Sequence, residues 1–316
     1  MTKVLDKLVV IPANPMPEGG DIHGLAAADG AGLRSAYWPA ADARGTVCVF
    51  PGRSEFIEKY FEVIGELRLR GFAVAALDWR GQGGSERELS DPRKGHIDDF
   101  DLFLRDLDAF LDHLERVGAP KPWYGLAHSM GGAILVLATA RGEKRLKRLV
   151  LSAPMLGLHG AADATIARHI IQAANAAGLG AAYVPGAGAR APSAYQPFQD
   201  NPLTSDPDRY QRQCDIMIAG PDLTIGPPTI AWLAAAFRLL NAMQAPDFGV
   251  TMGIPMLVVA AGADTIVSTS MVETLTARFR GAHCITIPGA RHELLMERDP
   301  IRAQFWAAFD AFVPGS

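Results

Sequence analysis

Ser129 is flanked by small residues and lies between two apolar runs, and this is where the chain first offers a reactive group in a usable setting. In Trp123-Tyr124-Gly125-Leu126-Ala127-His128-Ser129-Met130-Gly131-Gly132, a short strand-like run leads into the serine and a long apolar run leads out. That context puts a hydroxyl on a sharp strand-to-helix turn, clear of the sheet, where bulky residues two positions to either side would collide. Gly131 meets the requirement and Ala127 nearly does. A helix starting beside Ser129 aims its free amides and dipole at the same point, which suits charge developing on an attacked carbonyl oxygen. The Met130 N–H is therefore the first expected oxyanion donor. The chemistry implied is nucleophilic acyl transfer; a serine that merely caps its helix is the plainer reading.

A serine hydroxyl is a weak nucleophile and needs an imidazole to take its proton and a carboxylate to orient that imidazole. Eight histidines compete for the role, so the elements that position them must decide. Residues 23–38 read as a hairpin turning at Asp29-Gly30. From Gly45 strands alternate with helices: a strand at 46–50, a helix at 58–70, a strand at 72–77, a helix at 98–117, a strand at 123–127, a helix at 129–141 and a strand at 146–151. The rhythm resumes near the C-terminus with a strand at 255–260, a helix at 268–280, a strand at 283–287 and a helix at 301–312. This alternation predicts a mainly parallel sheet covered on both faces. Between Pro154 and about Ala245 it fails, giving way to Ala/Gly-rich and Pro-rich sequence with helical patches at 165–177 and 229–243. A stretch of that length reads as a helical cap, so the division expected is a core of 1–154 and 246–316 with a cap or lid at 155–245.

Composition narrows the function classes. The chain is 49% hydrophobic and 20% charged, the balance of a globular protein, and its net charge of -4 gives no basic footprint for nucleic acid. No run reaches the length of a membrane span or of a signal-peptide core, so membrane contact is expected to be peripheral at most. Three widely spaced cysteines, Cys48, Cys214 and Cys284, fit neither a disulfide framework nor a metal knuckle, and a cytoplasmic location is the simplest expectation. Cys48 and Cys284 read as inert core. No metal-ligand spacing is visible, and no metal or cofactor is expected. Oligomeric state is not legible.

The elbow, together with Asp78-Trp79-Arg80-Gly81-Gln82-Gly83-Gly84-Ser85, Gly95-His96-Ile97-Asp98-Asp99-Phe100, Asn201-Pro202-Leu203-Thr204-Ser205-Asp206, Gly262-Ala263-Asp264 and Gly289-Ala290-Arg291-His292-Glu293, resembles the α/β-hydrolase superfamily. The likeness is to the branch of bacterial lysophospholipases and monoacylglycerol lipases, and it runs over nearly the whole chain. Ala127 stands where that branch carries glycine. The resemblance implies an eight-stranded, mostly parallel sheet flanked by helices, with acid and base following the serine in that order at the carboxyl ends of later strands. His159 and His169 fall in the inserted stretch and His283 at the beginning of a strand, which leaves His292 as the base. Asp264 follows the strand at 255–260 and is the expected acid, its plainer reading being a helix N-cap; Asp247 and Asp222 are fallbacks.

The resemblance also implies a second oxyanion donor from the backbone of Arg53, with Gly52 allowing close approach. The Arg53 side chain could meet a phosphate, remain solvated or pair with Glu55. Candidate substrate contacts are Gly52, His128, Ile170 and Trp232, with Ile166, Ile171, Leu233 and Phe237 as further apolar wall. The glycine-rich run from Asp78 reads as a structural turn and His96 as a loop histidine bonded to backbone. The substrate expected is a small, lipid-like carboxylic ester, a lysophospholipid or a monoacylglycerol. The alternatives are a proline aminopeptidase or amidase, which would need acids in the cap to hold an amine, and a non-catalytic ligand-binding relative.

Overall fold

Alternation along the strands sorts the core into two layers. Val47 and Val49 face one side of the sheet with Val74 and Ala76, while Cys48 and Phe50 face the other with Ala75 and Leu77. In the computed structural model, residues 4–159, 165–186, 196–250 and 252–314 are described. The expected insertion at 155–245 therefore has two stretches, 160–164 and 187–195, outside the described residues, as are the first three residues of the chain.

The strands are β1 (Asp21–Ala26), β2 (Gly32–Trp38), β3 (Thr46–Phe50), β4 (Ala73–Asp78), β5 (Trp123–His128), β6 (Leu146–Ser152), β7 (Met256–Ala261) and β8 (Ala282–Ile287). They form one eight-stranded sheet in the order β1-β2-β4-β3-β5-β6-β7-β8. The β1–β2 hairpin and the β2–β4 pair are antiparallel, and the remaining pairs are parallel. The chain reverses direction across the sheet at β3, whose other neighbour is β5, so Phe50 and Ala127 end side by side in register. This switch point opens a crevice outside the carboxyl ends of the strands, where the loops after β3 and β5 emerge together.

Helices α1 (Phe61–Leu69), α2 (Asp101–Arg116) and α3 (Met130–Ala140) follow β3, β4 and β5. A short 3-10 turn, Ile57–Tyr60, leads into α1. Between β6 and β7 lie α4 (Thr165–Ala174), α5 (Pro207–Ala219) and α6 (Ile230–Met243); α7 (Thr269–Thr276) and α8 (Asp299–Phe312) complete the chain. Residues of α2, α3 and α7 pack in one layer, with Phe103, Phe110 and Val272 among them, and those of α1 and α8 in the other, with Ile64, Phe305 and Phe309. Helix α3 carries no polar face because both sides are covered, and every residue from Met130 to Thr139 is buried.

Several expectations need correction. Helix α5 was not foreseen, although Asp206 caps it through the Asp208 and Arg209 amides with Pro207 at its first position, a start signal present in the sequence. Helix α4 stops at Ala174 and passes into a wider turn in which Gly178 has φ of 83°. Cys48 is core, but Cys284 is half-buried, because β8 is an edge strand with exposed neighbours. No helix among the described residues is long and apolar enough to cross a membrane.

Candidate active site

Ser129 occupies the single residue between β5 and α3, at φ 48° and ψ −114°. Non-glycine residues visit positive φ only where the surroundings hold them there. Here the Ser129 amide donates to the Ser152 carbonyl at 3.0 Å, and its own carbonyl accepts from Met155 and Ala133. Gly131 has no room to be anything else: a Cβ on it would lie 2.5 Å from the Phe50 carbonyl oxygen and 2.6 Å from that of Pro51. Ala127 has no such conflict; its methyl is fully buried in the layer beside α3.

The His292 Nε2 lies 3.0 Å from Ser129 Oγ, and its Nδ1 lies 2.7 Å from Asp264 Oδ2. Asp264 is not the helix N-cap of its plainer reading: its Oδ1 accepts from the loop amides of Ile266 and Val267 at 2.8 and 3.0 Å. The N-cap of α7 is a separate residue, Ser268. Burial raises the Asp264 carboxyl, but the His292 contact and the two amides outweigh it and hold it below its ordinary value. The loops that carry Asp264 and His292 are tied together where Ala263 N–H donates to the Ala290 carbonyl at 2.8 Å. The base loop is also fastened to the stretch before α5: Glu293 N–H donates to Leu203, and Arg291 Nη1 donates to the carbonyls of Asn201 and Thr204.

The loop after β3 packs on the elbow, and a Cβ at Gly52 would come within 3.1 Å of Ser129 Cβ and 3.0 Å of the His128 ring. Its amide donates to the Glu55 carboxylate. Neither the Arg53 nor the Met130 amide meets a protein acceptor among the described residues. Two free N–H groups beside a nucleophile can stabilise an oxyanion.

Beneath the loop lies a buried charge cluster that spacing did not reveal. Lys59 Nζ is 2.6 Å from Glu55 and 2.6 Å from Glu293, and Tyr60 donates to Glu55 at 2.6 Å. Burial raises the Glu55 carboxyl, but Lys59 and His128 overcome it and bring it down to about 2. Glu293, with one oxygen unpartnered, is instead held above its usual range by burial despite Lys59. Arg53 does not pair with Glu55; its guanidinium stacks on Trp232 with Cζ 5.1 Å from the ring centroid and donates to Gly226 O at 2.7 Å.

A cavity of about 490 Å³ opens over Ser129 and His292. Trp232 and Leu233 line it, joined by Met155, Leu158, Met217 and Ile225. Ile170 does not: it is 60% exposed, as Ile166 is 77%, because α4 turns that edge outward. Ile171 and Phe237 pack instead with Ile230 and Ala234 between α4 and α6. His128 borders the cavity, but Nδ1 faces the Ser152 carbonyl at 3.1 Å and Nε2 lies 3.6 Å from Glu55. Burial pushes the His128 imidazole down to about 4 against the pull of Glu55, so it is neutral near pH 7. His96 meets a side chain, Thr229 Oγ1, at 3.0 Å. Its ring also gathers with Glu88 and Asp98, all ligand atoms within 4.8 Å, a grouping the sequence spacing did not show and in which both carboxylates face solvent.

A mostly parallel sheet with Ser129 on the turn at the β3/β5 switch point, under a largely apolar cavity, defines an α/β-hydrolase fold. The chain belongs to the serine aminopeptidase S33 family, matched over residues 41–299. It is 30% identical over 280 residues to a probable lysophospholipase L2 of Haemophilus influenzae, covering 87% of this chain and 85% of that one. It is 34% identical over 266 residues to lysophospholipase L2 of Escherichia coli (strain K12), covering 81% and 76%. Among solved structures, a soluble variant of monoglyceride lipase from Saccharomyces cerevisiae superposes with a TM-score of 0.72 at 18% identity, over 92% of this chain and 94% of that one.

Proposed function

We propose that the chain hydrolyses lipid-like carboxylic monoesters by two-step acyl transfer. His292 Nε2 takes the proton of Ser129 as its Oγ attacks the ester carbonyl, and Asp264 holds the imidazole in the tautomer that can accept it. The tetrahedral oxyanion rests on the amides of Arg53 and Met130. His292 then gives its proton to the departing alcohol, and water releases the acyl group by the same steps in reverse order. The observation that carries this reading is the hydrogen-bonded relay at 3.0 and 2.7 Å, opening into a cavity lined mainly by apolar side chains.

The S33 family description names an aminopeptidase, and an amine-holding site would need unpaired acids near the nucleophile. Among the described residues, none that lines the cavity from the stretch between β6 and β7 is acidic, and Glu55 and Glu293 both already pair with Lys59. That favours an acyl chain over an N-terminal amine, and the relatives named lysophospholipase and monoglyceride lipase agree. In this reading the 155–245 stretch is the cap over the acyl site, and the three free cysteines fit a cytoplasmic setting. The test is labelling with a fluorophosphonate, wild type against Ser129→Ala, followed by p-nitrophenyl esters of increasing chain length. Labelling confined to wild type and a preference for longer chains are expected. Equal labelling of the variant, or a preference for acetate, overturns the assignment.

A further inference from the structure

We propose that the Arg53 guanidinium is a phosphate-recognition site at the head of the acyl cavity, selecting the phosphorylated headgroup of a lysophospholipid over the bare hydroxyls of a monoacylglycerol. This rests on the ester-hydrolase reading.

The guanidinium is the unusual feature of the site. It lines the cavity with Ser129 and His292, yet it meets no carboxylate among the described residues. Its recorded acceptors are neutral: Ser54 Oγ at 3.0 Å and Gly226 O at 2.7 Å. Nε is buried and has no partner. Arginine offers five donors in a flat fork suited to phosphate, and most of this fork is unused. The two acids that share the cavity do not neutralise it, because both are engaged by Lys59. Burial lowers the Arg53 group to about 10, so it is still a cation at neutral pH, held without a counter-ion.

The fork is fixed in place. Trp232 covers one side, and the loop at Gly95 lies so close that a Cβ there would fall 2.3 Å from Nη2. Its reach also fits. The ester carbonyl carbon and the phosphorus of a 1-acyl lysophospholipid are separated by as many bonds as the Arg53 amide nitrogen and its own guanidinium carbon. With the amide on the oxyanion, the side chain is long enough to span the glycerol toward the phosphate. A monoacylglycerol offers hydroxyls there and leaves the charge uncompensated.

The experiment compares kcat/KM for a lysophospholipid and a monoacylglycerol of the same acyl chain in wild type, Arg53→Gln and Arg53→Lys. The expected result is a loss in Arg53→Gln that is roughly 10- to 100-fold greater for the lysophospholipid, mainly in KM, with part recovered by Arg53→Lys. Equal losses on both substrates overturn the phosphate site and leave the ester-hydrolase reading standing; a wild type that hydrolyses neither substrate overturns both. Binding to Ser129→Ala, followed by tryptophan fluorescence, gives a readout free of turnover. Tighter binding of the lysophospholipid than of the monoacylglycerol supports the site. Equal binding, or inorganic phosphate alone binding as well as the lysophospholipid, overturns headgroup selection.

Discussion

Arg34 and Arg53 are both withdrawn from bulk water, and the chain treats them in opposite ways. Arg34 is fully buried and its fork is answered at every point: Nε to Asp78 Oδ2 at 2.7 Å, Nη1 and Nη2 to the two Glu58 oxygens at 2.8 and 2.7 Å, and Nη1 also to the Lys7 carbonyl. Burial alone would lower that guanidinium, but Asp78 and Glu58 raise it above its ordinary value. Arg53 meets only neutral oxygens and is pulled down. A saturated cation joins β2, the end of β4 and the turn before α1 into one unit. The one beside Ser129 is left with donors that its neutral partners do not use.

The contrast can be broken most directly at Arg34. Replacing it with Met strands two buried carboxylates, and urea denaturation should show a loss of about 3–5 kcal/mol. A loss below about 1 kcal/mol would mean the cluster is not a structural unit.

Acid titration gives the next effect. His128 has its folded value lowered to about 4 from an ordinary 6.5, so the unfolded chain takes its proton first. Its contribution is fully present above about pH 6.5 and is lost as pH falls to 4, a span worth about 3 kcal/mol. Glu55 and Asp264, both lowered, contribute above their unfolded values and lose it at lower pH, with Glu55 titrating down to about 2. Stability against pH should therefore fall in two stages. His128→Asn should shrink the upper stage and spare the lower; His113, also lowered to about 4, keeps some of the upper stage in place. An unchanged upper stage would show that His128 is not held neutral.

A smaller effect is expected at Glu55, where Gln keeps the acceptor for the Gly52 amide but weakens the tie to Lys59. Ester turnover should fall by about tenfold, with KM less affected. The smallest is on the stability of Arg53→Met, which should stay within about 1 kcal/mol of wild type, because no charged partner is left stranded. A loss as large as that of Arg34→Met would erase the distinction between the two arginines.

What sequence revealed and what it hid follow from range. The alternation of strands and helices is a local pattern, and with the family resemblance it set Ser129, Asp264 and His292 just after the carboxyl ends of their strands. Apolar wall residues were harder. Trp232 and Ile170 look equally suited to a cavity in the sequence, but the facing of α4 against α6 decides which lines it, and that depends on packing between helices. Glu55 and Lys59 are only four residues apart, but Glu293 joins them from the far end of the chain, and Arg34, Glu58 and Asp78 come from three different elements, so spacing alone shows neither cluster. Helix α5 is a different matter, since Asp206-Pro207 announced it and the polar residues after them obscured it.

The fastening of the base loop to residues 201–204 has a consequence for how the chain matures. Arg291 holds carbonyls as far as 90 residues earlier, and Glu293 anchors on Leu203. His292 therefore reaches its station only after the long excursion between β6 and β7 has left the sheet and come back. Any catalytic use of His292 depends on the seating of residues 201–204 as well as on the order of the sheet.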